Sequence, residues 1–164
     1  MTLQEFFLKQ KKAIRKRSEE VFPLLRPEHM HWRPSKEALS IGEMLRHLWV
    51  SEEGVRRVAL DGNFAYYEVR IPGGLSAVLG TSGSLESELS DIDRVHRDTL
   101  DAVLASPAGI FDEERTHSAL GFRRKVSVIL FGINEHEIHH RAQLMMCLRM
   151  LGRPAPQPFT WPRN

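Results

Sequence analysis

Near the C-terminus, Val126, Ile129, Ile133, His140, Leu144, Cys147 and Leu151 recur at steps of three, four and seven, the period of one helix face. A helix of this length with an unbroken apolar face needs other helices to cover it. Inside it lies Asn134-Glu135-His136-Glu137-Ile138-His139-His140-Arg141-Ala142-Gln143-Leu144. At about 100° per residue, His140 falls in the middle of the apolar stripe. His136 lies about 60° from its centre and His139 roughly twice as far. His136 and His140 therefore point inward together, one turn apart. An imidazole among aliphatic side chains must satisfy its ring nitrogens. A metal ion shared at i and i+4 is one way to do so. Ordinary hydrogen bonding in the core is the other, and a third ligand elsewhere decides between them.

Three further helices are written upstream. Thr2 and Glu5 form a capping-box pattern, and Leu3, Phe6, Phe7, Gln10, Ile14, Arg17 and Val21 trace a face, predicting a helix over 2–25 that Pro23 and Pro27 end. Ser40-Ile41-Gly42-Glu43 is a second capping box. It opens a helix with Ile41, Met44, Leu45, Leu48, Val55 and Ala59 inside. His47 sits at the edge of that face, available as a third ligand. A third helix runs from about Ser84 to Ser106; His96, near its stripe, is a reserve candidate. The last helix is expected from near Arg123 to about Leu151, with Gly152 as its C-terminal cap.

Between them lie two long connections: residues 61–83, marked by turn-forming Asp61-Gly62-Asn63 and Pro72-Gly73-Gly74, and residues 108–122, punctuated by Gly109 and Gly121. The first could cross one end of the bundle, form a short helix or hairpin, cap a pocket, or serve as a plain crossover. Pro154, Pro156, Pro158 and Pro162 make the tail extended, with Phe159 and Trp161 as anchors to the body. The expected fold is all-α: a four-helix bundle with long second and third connections and a proline-rich C-terminal tail, one domain over 1–164.

Composition narrows the function classes. The net charge is only +2, and Lys9 to Lys12 with Arg15-Lys16-Arg17 alternate with apolar residues at helical spacing. They read as a solvated helix face, and nucleic-acid binding is disfavoured. The single cysteine, Cys147, excludes an internal disulfide framework and fits a reducing cytoplasm. No run is long enough to span a bilayer, so no membrane role is expected.

Ser40-Ile41-Gly42-Glu43-Met44-Leu45-Arg46-His47-Leu48, preceded by Trp32-Arg33-Pro34, resembles the first histidine motif of the DinB-like (DNA-damage-inducible) family. His136-Glu137-Ile138-His139-His140-Arg141-Ala142-Gln143-Leu144 resembles its second, with Ala142 where glycine is usual. The resemblance spans nearly the whole chain. It implies a four-helix bundle, a homodimer, and a three-histidine centre for a divalent metal, zinc or nickel, on His47, His136 and His140. It also implies a metal-dependent hydrolase or a transferase using a low-molecular-weight thiol, acting on a small-molecule substrate. The alternative is a non-enzymatic dimeric stress-response module whose metal is structural or absent.

Glu43, one turn before His47, Gln143, one turn beyond His140, and Glu137 are candidates to orient ligands or assist the reaction. His136 to His140 also spells the His-Glu-x-x-His pattern of zinc proteases. The residues after His140 contain no histidine, aspartate or glutamate to complete that site, which argues against a protease.

Overall fold

Four long helices form the frame, and three of them start where a side chain takes up a free backbone N–H group of the first turn. In the computed structural model, which describes residues 1–156, α1 spans Leu3–Ser18, α2 Ile41–Asp61, α5 Leu85–Ala105 and α6 Val126–Met150. Thr2 and Ser40 cap α1 and α2 with complete capping boxes, and Ser84 caps α5. Gly62 and Gly152 take positive φ just beyond α2 and α6, a conformation costly for any residue with a Cβ. The expected tail anchors Phe159 and Trp161, with Pro158 and Pro162, lie outside the described residues.

α2 packs against α5 and α6, and α1 closes the square against the same two helices. The interior is layered. One end is filled by Val21, Leu25, Met44, Leu45, Ile92, Leu144 and Leu148; the other by Phe7, Val58, Phe64, Val103, Phe111, Val126 and Leu130. Between these two apolar ends, Lys11, Arg15, Ser18, Glu52, His96, Asn134, Glu137 and His140 are all buried.

Two expectations change. α1 ends at Ser18, and Phe22–Leu24 is a separate 3-10 turn with Pro23 near its start. Proline is well placed in the first turn of a helix, where its missing N–H is not needed. α6 starts at Val126, because residues 114–125 form an antiparallel hairpin, β1 (Glu114–His117) with β2 (Phe122–Lys125), Glu114 facing Lys125. Gly121, in the left-handed region, turns the chain into β2. The expected 61–83 connection holds two short helices, α3 (Ala65–Gly73) and α4 (Ser76–Leu79). Phe122 of the hairpin stacks edge-on against Phe64 and lies 5.5 Å from Tyr67, so the two long connections meet.

Candidate metal centre

The middle layer is where the inward-facing histidines meet. His47 comes from the half-buried edge of α2, and His136 and His140 from successive turns of α6. One ring nitrogen of each lies within 4.8 Å of the others. Nε2 of His136 is 2.9 Å from Nε2 of His47, and ring centroids are 4.4–4.7 Å apart with planes tilted by 74–84°. The rings stand nearly perpendicular to one another, with a nitrogen of each in the shared cluster. His139, exposed, and His96, on α5, take no place in this group.

Two of the rings are steered from behind. His140 Nδ1 lies 2.7 Å from Gln143 Oε1, and His47 Nδ1 lies 2.8 Å from Ser51 Oγ. A carbonyl oxygen only accepts, so His140 carries its proton on Nδ1 and keeps the Nε2 lone pair free. Ser51 Oγ is in turn 2.9 Å from the Tyr66 hydroxyl on α3. Tyr66 reaches α2 only because residue 54 is glycine: a Cβ there would sit 2.4 Å from the Tyr66 ring.

Burial pushes His47 down to about 4, helped by His140, Arg70 and His139. Burial, with His140 and His47, pushes His136 down to about 3, and burial lowers His140 despite its bond to Gln143. All three are neutral at physiological pH, the state a metal ligand requires. Metal–nitrogen distances of about 2.0–2.1 Å in a tetrahedral site put nitrogens about 3.3 Å apart. The 2.9 Å His47–His136 contact needs only a few tenths of an ångström more. The donor set fits a divalent ion.

The carboxylates lie elsewhere. Glu43 accepts from the Ser40 backbone N–H and from Arg33, while Ser51 is the partner of His47. Glu137 is buried against α1, accepting from Lys11 at 2.8 Å and Ser18 at 2.8 Å, with Arg15 Nε at 3.0 Å. Burial works to raise its pKa, but Lys11, Arg15 and the Ser18 hydroxyl outweigh it and bring it to about 2. Lys11 also pairs with Glu52 at 2.7 Å, so the layer balances two cations with two carboxylates.

A cavity of about 640 Å³ borders His47, Ser51 and His136 and runs under Tyr66, Tyr67 and Arg70 of α3. Neither Ser51 nor Tyr66 stood out from the sequence. The position of Ser51, four residues after His47, is a usable clue; Tyr66 depends on how α3 folds back.

A family model for the DinB superfamily matches residues 10–144. The chain is similar in structure to a DinB-like protein of Bacillus subtilis, at 20% identity and TM-score 0.71, covering 96% of this chain and 99% of that one. It is also similar to a DinB-like protein of Bacillus cereus, at 16% identity and TM-score 0.74, covering 94% and 97%. At these identities the likeness is one of fold. No curated protein matches the sequence.

Proposed function

The chain belongs to the DinB superfamily, and from that premise we propose that it is a metal-dependent enzyme, a hydrolase or a transferase of a low-molecular-weight thiol. The observation that carries this reading is the convergence of three neutral imidazoles, His47, His136 and His140, beside a cavity. These residues would hold one divalent ion, zinc or nickel, since imidazole accepts both. Bound there, it would act as a Lewis acid towards a water or thiol, with a coordination position left over by three protein ligands.

The chain's own residues do the positioning. Gln143 fixes the tautomer of His140, and Ser51 holds the tilt of the His47 ring. Tyr66 holds Ser51 and covers the cavity from α3. Glu137 and Glu52 tie α6 and α2 to Lys11 of α1, which keeps the two ligand-bearing helices in register.

We read the enzyme as cytoplasmic, supported by the lone buried Cys147 and by the lack, among the described residues, of any helix long and apolar enough to cross a membrane. We also read it as a homodimer. Ile138, Met146 and Met150, at four- and eight-residue steps on α6, leave 41–60% of their surface exposed, a stripe a second copy would cover.

The test is a screen of the zinc- and nickel-loaded chain for ester hydrolysis and for transfer of small thiols to electrophiles. Activity that needs the ion and disappears in His136→Ala, with the helical circular dichroism retained, supports the reading. Activity that persists in chain verified as metal-free contradicts it.

A further inference from the structure

The cavity beside the histidines has a shape and a charge that select a ligand. Its walls are largely apolar, built by Val55, Phe122, Ile129 and Ile133 under the paired rings of Tyr66 and Tyr67. At about 640 Å³ it lies within the roughly 300–1,000 Å³ of small-molecule sites. Part of this room comes from Gly132, which lines it. A Cβ built on Gly132 would meet no atom within 4 Å. Glycine in mid-helix is less favourable than alanine, so here α6 gives up helix stability where a side chain would stand in open space.

Two cations border this space, Arg70 from α3 and Arg124 from β2. Among the described residues neither is within ion-pair distance of a carboxylate. Most of the neighbouring arginines are: Arg123 pairs with Glu114 at 2.8 Å, Arg115 with Glu113 at 2.8 Å, and Arg57 with Glu53. Among the described residues the Arg124 side chain donates only to the Arg123 carbonyl. The one carboxylate in the cavity wall, Glu52, is already paired with Lys11. The site therefore presents apolar walls, a wide floor at Gly132 and uncompensated positive charge.

We propose that the cavity takes an amphipathic organic anion: a flat, aromatic-sized apolar body lying over Gly132, with its anionic group held by Arg70 and Arg124. This names the substrate class of the metal-dependent reading and rests on it for the chemistry, but binding needs no ion. The binding test therefore fails or succeeds independently of that reading.

The probes are 8-anilinonaphthalene-1-sulfonate and N-phenyl-1-naphthylamine, the same ring system with and without a negative charge, titrated by fluorescence in chelator at low salt. Charged contacts of this kind correspond to about a tenfold preference for the anion, and the R70Q/R124Q double variant removes it without weakening the neutral dye. Gly132→Leu fills the floor and weakens both dyes by at least about tenfold on the same scale. Val128→Trp, at the exposed rim of the cavity, gives the same loss if the leucine variant does not fold. Equal affinity for the two dyes in the wild type, an anion affinity unchanged in R70Q/R124Q, or binding indifferent to the cavity-filling variants would overturn the proposal.

Discussion

A histidine cluster becomes a metal site through the groups that aim its rings, so single residues behind the ligands set the affinity. Ser51 Oγ, 2.8 Å from His47 Nδ1, is such a group. Ser51→Ala is expected to lower affinity for zinc or nickel about 10–100-fold, the usual cost of losing an outer hydrogen bond to a ligand. Competition with a chromophoric chelator measures it, and an unchanged affinity would remove Ser51 from the account. Gly54→Ala, which touches neither histidine, is expected to act in the same direction. Its Cβ would overlap the Tyr66 ring, so Tyr66 must leave Ser51. Tyr66→Phe separates the two causes: it keeps the ring and loses only the hydroxyl contact with Ser51. At this scale the sequence was informative about His136 and His140, because helical phase alone turns both inward. It was silent on Tyr66, whose place depends on a connection folding back over α2.

Among the elements, α1 shows best what periodicity leaves out. Its basic run reads as a solvated face, and Lys9, Lys12, Lys16 and Arg17 are indeed exposed, but Lys11 and Arg15 are buried. They lie one turn apart on the inner side and meet Glu52 of α2 and Glu137 of α6. A cation on the inner face of a helix is legible as buried only once the carboxylates opposite it are known. Lys11→Met is therefore expected to destabilise the fold by about 3–5 kcal/mol, since it leaves two carboxylates buried with Arg15 as their remaining cation. Urea denaturation reads this directly; a loss below about 1 kcal/mol would place the pair in the energetic range of surface ion pairs. The 114–125 hairpin was missed for a different reason: its strands, Glu114-Arg-Thr-His and Phe122-Arg-Arg-Lys, are short and polar. Tertiary contacts anchor them: Phe122 packs on Phe64 and Tyr67, and His117 packs on Phe64 and meets Glu68. The capped starts of α2 and α5 were legible because Ser40 and Ser84 act locally.

For the whole molecule, a polar middle layer between two apolar ends makes stability depend on pH in a defined direction. Burial, with Arg15 and Lys11, pushes His96 from its ordinary 6.5 to about 3. Between those values the unfolded chain binds more protons than the folded one, so stability falls as pH falls. Glu137, at about 2 against an ordinary 4.5, adds a second loss over that lower range. In chelator, the melting temperature is expected to begin falling below pH 6.5, well before carboxylates titrate. His96→Leu should reduce that early loss; a variant as acid-sensitive as the wild type would contradict the assignment. The residual early loss belongs to His47, His136 and His140, which burial also keeps neutral. Those three rings carry the central claim. Its most direct test is elemental analysis of chain prepared without an affinity tag and dialysed after incubation with zinc or nickel, beside His47→Ala and His140→Ala. The account predicts about one divalent ion per wild-type chain, lost in both variants. A folded wild-type chain that retains no ion, or variants that retain it equally well, would contradict the account.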